Sequence, residues 1–340
     1  MGKSKDTRIK GFEGLSVLLP EEDRKKYEEE KKPKSSNVQL SKNSMLMANL
    51  GWLFYRDYYN GLCNGITREI KKKDRTLNVC VANCLKPQND DEKQVISIFF
   101  KEKNDSIVDC GKLKNPNYSY PVGTHSFSLA TTYPGLAIGT GVNHETGLLG
   151  ECKLGFQFDH TTGLPIIPGS SVKGLLRSMF PYSAYSNRND QKSNEYRNER
   201  LSFLRELCAE IKVGFEVTDG DIKKLEMVVF EGVDETNESI SMYKRHIFYD
   251  AVVAGFDAKG GLLGLDYITP HKNPLRNPNP IQFLKVMPQV RFKCSFRLAS
   301  IGLTNGTFTE DLQLKLFQQI LLTVGVGAKT NVGYGQFENR

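Results

Sequence analysis

The sequence predicts a mixed α+β domain, and three observations carry that prediction. Strand-length apolar runs recur between residues 136 and 299, an amphipathic helix pattern covers Thr309 to Val324, and a glycine-rich turn leads from that helix toward a short last strand at 334–338. Runs of strands punctuated by helices mark the α+β class.

Residues 1–40 come first and mix both charges densely, as in EEDRKKYEEEKKPKSS, with few apolar positions at any regular period. Such a segment buries too little apolar surface to order itself, so an extension outside the core, mobile or ordered by a partner, is expected. In MLMANLGWLFYRDYYNG, Met45, Asn49, Trp52, Tyr55 and Tyr59 recur at three- and four-residue steps, which predicts a helix with an aromatic face. That face is read as core, with base stacking and a contact from Arg56 as the functional alternative. The run VISIFF, between Gln94 and Cys110, reads as a strand, and NPNYSYPVG closes this N-terminal segment, 41–123.

The main domain, 124–340, follows. Its strand candidates are LAIGTG (136–141), KLGFQF (153–158), HIFYDAVV (246–253), LLGLDYI (262–268) and VRFKCSFRLA (290–299). A helix from Glu199 to Ile211 places Leu201, Leu204, Cys208 and Ile211 on one face, after a polar insertion loop at 183–198.

Composition narrows the function classes. No stretch approaches the roughly eighteen apolar residues of a membrane helix, and the N-terminus lacks a signal core, so a cytoplasmic protein with no membrane partner is expected. Seven cysteines without a CxxC pair suit reduced thiols, and neither zinc-ligand spacing nor a nucleotide-cofactor motif is present; no metal and no cofactor are expected. The net charge is +7, and residues 259–340 hold ten basic and four acidic side chains, so nearly all of the excess lies in the last quarter of the chain. A concentrated basic region is what a polyanion partner favours through counterion release, and it is also what a solvated face looks like.

Two stretches carry candidate chemistry. In GLPIIPGSSVKGLLR (163–177), Pro165 and Pro168 hold the approach extended, Ser170 or Ser171 can cap, and Val172, Leu175, Leu176 and Met179 form an apolar stripe. Lys173 and Arg177 share another face, Gly174 leaves it open, and a helix N-terminus offers N–H donors to a phosphate. In GVGAKTNVGYGQFE (325–338), Gly325 stops the preceding helix. Gly325, Gly327, Gly333 and Gly335 permit positive φ and close approach to a ligand, while Lys329, Thr330 and Asn331 supply charge and hydrogen bonds. The loop is not a Walker A motif, because Ala328 precedes the lysine and a helix precedes the loop.

These two stretches together resemble the RAMP superfamily of CRISPR-associated proteins, and NLGWLFYRDYYN (49–60) and GTGVNHETGLLGE (139–151) narrow the resemblance to its type III-B Cmr branch. The resemblance runs from about residue 45 to the C-terminus. It implies a modified ferredoxin-like, RNA-recognition-type core with an N-terminal helical extension and insertions. It implies a non-catalytic subunit of an RNA-guided antiviral ribonucleoprotein, which binds the guide RNA backbone near its 3′ end. Its partners would be guide RNA, target RNA and the other RAMP subunits of the Cmr complex. By position, the expected RNA contacts are Ser170, Ser171, Lys173, Gly174, Arg177, Gly327, Lys329, Thr330, Asn331, Gly333 and Tyr334, with Lys173 and Arg177 facing phosphates opposite Lys329. An endoribonuclease is the alternative, for which Glu151, Asp159 with His160, and Asp266 with His271 are the available groups. Asp159 and His160 are read as a non-catalytic pair, and Asp266 with His271 as a hydrogen-bonded turn.

Overall fold

The computed structural model describes residues 48–62, 67–71, 76–81, 85–116, 125–139, 143–182, 191–212, 216–257, 259–269 and 280–339. The charged extension, His271 and the first half of the predicted insertion loop lie outside the described residues. The chain divides into two compact units, one formed by residues 1–39 with 59–96 and the other by residues 40–58 with 97–340.

Within the described residues the elements run as follows. A short helix α1 (Leu50–Trp52) continues into a π-helical turn (Leu53–Asp57). A hairpin, β1 (Thr67–Lys71) with β2 (Thr76–Cys80), and a long helix α2 (Asp90–Lys112) follow. Next come β3 (His125–Thr131), β4 (Ile166–Ile167), α3 (Gly169–Ser178), α4 (Gln191–Ile211) and α5 (Asp219–Glu226). The chain then makes β5 (Ile247–Phe248), β6 (Ala251–Gly255), β7 (Leu263–Ile268), β8 (Ile281–Val286) and β9 (Arg291–Arg297). It ends with β10 (Ile301–Leu303), β11 (Gly306–Phe308), α6 (Glu310–Val324) and β12 (Phe337–Asn339).

In the smaller unit, β1 and β2 pair antiparallel from Thr67↔Cys80 to Lys71↔Thr76. Its other regular element among the described residues is the start of α2, which corrects the expected strand at VISIFF. Three consecutive acids, Asp90, Asp91 and Glu92, occupy the first turn, where the helix dipole favours negative charge. Asn89 Oδ1 accepts from the Glu92 amide at 2.9 Å, and Glu92 accepts in turn from the Gln88 amide at 2.6 Å. That reciprocal cap fixes a helix over a β-branched stretch that a propensity reading assigns to a strand.

The larger unit is built on an antiparallel sheet in the order β12-β3-β9-β6-β4, with β5 also pairing β9. Its core runs as a chain of rings from the end of α3 to α6: Phe180 meets Phe230 at 4.9 Å, Phe230 meets Phe248 at 5.9 Å, and Phe248 and Phe296 both meet Phe317. Phe317 belongs to the predicted inward face of α6, where Leu316, Ile320 and Leu321 are also buried. Thr309 caps that helix, and Gly325 (φ +74°) stops it.

The aromatic face predicted at 49–59 is corrected: Trp52 is 54% exposed and Tyr55 and Tyr59 are half-buried, and the buried face belongs to their neighbours. Phe54 and Tyr58 are fully buried, and His144 stacks on Phe54 at 4.4 Å. The Tyr58 hydroxyl donates to Asn104 Oδ1 at 2.7 Å and accepts from the Cys152 amide at 2.7 Å. Two expected strands do not form as such. Among the described residues LAIGTG and KLGFQF make single bridges to different partners, Leu136 to Val286, Ala137 to Ala328 and Phe158 to Pro165, with no continuous ladder. Residues 191–198, expected in an insertion loop, form the first two turns of α4.

Candidate nucleic-acid interface

At α3, the first candidate stretch folds by local rules with one non-local addition. Pro168 (φ −55°, ψ 137°) is the N-cap residue, and its carbonyl accepts from the Ser171 and Val172 amides at 2.8 and 3.1 Å. The expected serine cap is therefore corrected: Ser170 and Ser171 are exposed first-turn residues. Gly169 is required by space, since a Cβ there would lie 2.2 Å from the Phe248 carbonyl oxygen. Its amide donates to Asp250 Oδ1 at 2.7 Å. A carboxylate already occupies the end of the helix where a phosphate was expected, which corrects the view of that terminus as a set of unpaired donors. Lys173 extends over the Phe248 ring, 5.9 Å from its centroid, and the Arg177 guanidinium pairs with Glu231. Gly174 is exposed, and a Cβ at that position would meet nothing within 4 Å, so the face between the two cations is open.

The glycine loop is a rigid, internally bonded structure. A Cβ at Gly335 would lie 1.8 Å from the Val326 oxygen, one at Gly327 2.5 Å from the Ala137 oxygen and one at Gly325 2.6 Å from the Gly335 oxygen. These three glycines serve close packing of the loop on itself and on residues 136–137, which corrects the expectation that they admit a ligand. Val326 donates to Gly335, Ala328 to Ala137, and Gly335 to Gly135, at 2.8–2.9 Å. Tyr334 is buried against Phe283, and its hydroxyl donates to Asp266 Oδ2 at 2.7 Å. Lys285 Nζ donates to the same oxygen at 2.6 Å. Burial alone would raise the Asp266 carboxyl, but the bonds from Lys285 and Tyr334 hold it below the usual carboxylate range. Burial and the Asp266 carboxylate push the Tyr334 phenol up, and the neighbouring phenol of Tyr133 adds to this.

What the loop presents outward is the segment 327–332. Lys329 sits at φ +64° and opens a 3₁₀ turn, Thr330–Val332. The amides of Lys329, Thr330 and Asn331 donate to no acceptor among the described residues, and Lys329 is in none of the ion pairs found there. Successive free amides beside a lysine make a concave site of positive potential.

The two stretches do not converge. Strand β4, which feeds α3, and β12, which the glycine loop feeds, are at opposite edges of the sheet. Four strand spacings separate those edges, about 19 Å. The expected arrangement of Lys173 and Arg177 opposite Lys329 is corrected to two separate basic features. The carboxylates of the alternative reading are held in structural bonds. Asp159 accepts from the Thr162 amide at 2.8 Å, Glu151 from Thr146 and Gly147, and the His160 carbonyl accepts from Asn49 Nδ2 at 2.9 Å. Asn49 had a signal in the sequence as a helix cap, and it also explains Gly163, where a Cβ would lie 2.6 Å from Asn49 Cγ.

A RAMP superfamily model matches residues 128–338, well over half of the chain, and the chain belongs to that superfamily. Among individual relatives it is similar to the CRISPR system Cmr subunit Cmr6 of Pyrococcus furiosus. The two are 27% identical over 207 residues, 51% of this chain and 58% of that protein, so the chain spans somewhat under two thirds of its relative. Solved structures similar to it include a type III-B Cmr-beta complex bound to cognate target RNA (21% identity, 74% of each chain, TM-score 0.39). Another is the crystal structure of Cmr6 from Pyrococcus furiosus (21% identity, 64% of this chain and 98% of that one, TM-score 0.37). Among the described residues no helix is long and apolar enough to cross a membrane.

Proposed function

We propose that this chain binds the sugar-phosphate backbone of a guide RNA, near the guide's 3′ end, as a non-catalytic subunit of a Cmr-type RNA-guided complex in antiviral defence. The observation that carries the reading is the outward segment of the glycine loop, where Lys329, Thr330 and Asn331 combine a cation, hydroxyl and amide side chains and uncommitted backbone donors. Contacts of this kind bind phosphates without reading bases, as a subunit that accepts any guide must do. The order β12-β3-β9-β6, antiparallel throughout, with α3 and α6 as its helices, supports a ferredoxin-like reading of the core. In that reading Gly327, Gly333 and Tyr334 shape the loop, and Ser170, Ser171, Lys173, Gly174 and Arg177 on α3 form a second, weaker contact. Target RNA is met through the guide, and neighbouring RAMP subunits are the protein partners.

The test is anisotropy of the full chain with two guide RNAs of unrelated sequence across a salt series. Equal affinities are expected, and Lys329→Ala should reduce the magnitude of the salt slope by about one. Binding that depends strongly on sequence, or an unchanged slope, overturns the backbone reading. Cleavage of either RNA that disappears in Asp159→Ala would replace it with the endoribonuclease.

A further inference from the structure

Beside the glycine loop stands a ring that the backbone-binding reading leaves unused. Tyr133 is 85% exposed, and Val332, on the loop itself, is 67% exposed. Isolated exposed apolar side chains are ordinary. This one differs in its mounting. Thr132 donates its amide and its hydroxyl to the Gln336 carbonyl, Gly335 donates to Gly135, and Leu136 donates to Val286. The turn that carries the ring is thus bonded on both sides, by three hydrogen bonds to the glycine loop and by the bond from Leu136 to Val286. Gly135 could not be replaced without a Cβ 2.2 Å from the Val286 oxygen, and a Cβ at Gly333 would touch Pro134 at 3.4 Å. The turn and the loop are one unit, which carries an exposed aromatic ring and a cationic, donor-rich edge.

From this juxtaposition we infer that Tyr133 is a stacking platform for one nucleobase of the strand whose phosphates rest on Lys329, Thr330 and Asn331. The inference rests on the proposed RNA-binding role and adds to it a base contact that is indifferent to sequence. A ring carried on a backbone turn that is fixed before binding spares the cost of ordering that turn when a base covers it, and every base offers a π-face. Single-stranded binders combine these two parts, a charged groove for the backbone and an aromatic for the bases.

The experiment uses the full chain and a single-stranded RNA carrying a fluorescent adenine analogue at successive positions. Wild type should quench the analogue at one position. Tyr133→Ala should abolish that quenching and weaken binding about 5- to 150-fold, with the salt slope unchanged. Tyr133→Phe should behave as wild type, and Lys329→Ala should lower the slope while keeping the quenched position. Because the ring is exposed, Tyr133→Ala should unfold as wild type does, which separates stacking from folding. Unchanged affinity and quenching in Tyr133→Ala, with Lys329→Ala weakened, overturns the stacking and assigns the ring to a protein partner while the backbone reading stands. Failure of wild type to bind RNA overturns both.

Discussion

Replacing Gly335 by alanine should collapse the glycine loop while leaving the rest of the sheet folded. At φ +72° an alanine enters the left-handed region, at a cost of about 1–2 kcal/mol. Its Cβ would also lie 1.8 Å from the Val326 oxygen, a backbone atom that cannot rotate away. Relieving that overlap means separating residues 326 and 335, which breaks the bond from the Val326 amide to the Gly335 carbonyl (2.9 Å) and strains the one from the Gly335 amide to Gly135 (2.8 Å). At about 0.5–1.5 kcal/mol for each bond, the whole change is on the order of 2–5 kcal/mol. Urea denaturation followed by circular dichroism measures it, with Gly333→Ala as the comparison. Gly333 has φ +92° but meets only the Pro134 ring at 3.4 Å, so its variant should lose only the left-handed cost of about 1–2 kcal/mol. Equal losses in the two variants, or a loss below about 1 kcal/mol at Gly335 with RNA binding intact, would refute the claim that the glycines exist for close packing within the loop.

Three further outcomes follow from the same geometry. Gly174→Ala, in a helix interior with open space around it, should stabilise the protein by about 0.5–1 kcal/mol in the same denaturation assay, and it should weaken RNA binding if the α3 face meets the backbone closely. Glu231→Gln frees Arg177 from a half-exposed ion pair worth no more than about 1 kcal/mol, so stability should barely change while RNA affinity and the salt slope rise; no change in either excludes Arg177 as a contact. His246, buried and bonded through Nε2 to Gln313 Oε1 at 2.8 Å, is held below the ordinary histidine range by burial, as is His144. A depressed folded-state value means the unfolded chain takes up the proton first, so the stability from neutral burial is complete above the unfolded value and is lost as the pH falls below it. Denaturation midpoints should therefore drop below about pH 6.5, by up to about 1.4 kcal/mol per pH unit for each histidine, and His246→Gln should flatten that dependence.

Much of the fold was legible because it is encoded locally. The apolar stripe of α6 and its Gly325 stop read directly from spacing, as did β7 and β9 from strand-length runs. The α2 segment misled because VISIFF has strand propensity, although Asn89 and Glu92 three residues apart carried the cap signal. The site was less legible because its decisive contacts join distant residues. Asp250 takes the Gly169 amide across 81 positions, Glu231 takes Arg177 across 54, and Asp266 takes the Tyr334 hydroxyl across 68. Each consumes a group that the sequence presents as free. The glycines were read correctly as positions of positive φ, but spacing alone could not say whether the close neighbour is a ligand or the chain's own backbone. Tyr133 gave no sign in the sequence, since its value lies in the turn that holds it beside the loop.

The most direct test of RNA binding at the glycine loop is ultraviolet cross-linking of the full chain to guide RNA, followed by mapping of the modified peptides. The account predicts adducts in the peptides containing Tyr133 and residues 327–334, reduced by Lys329→Ala. Adducts confined to other segments, such as α4, with none at 327–334, would contradict it.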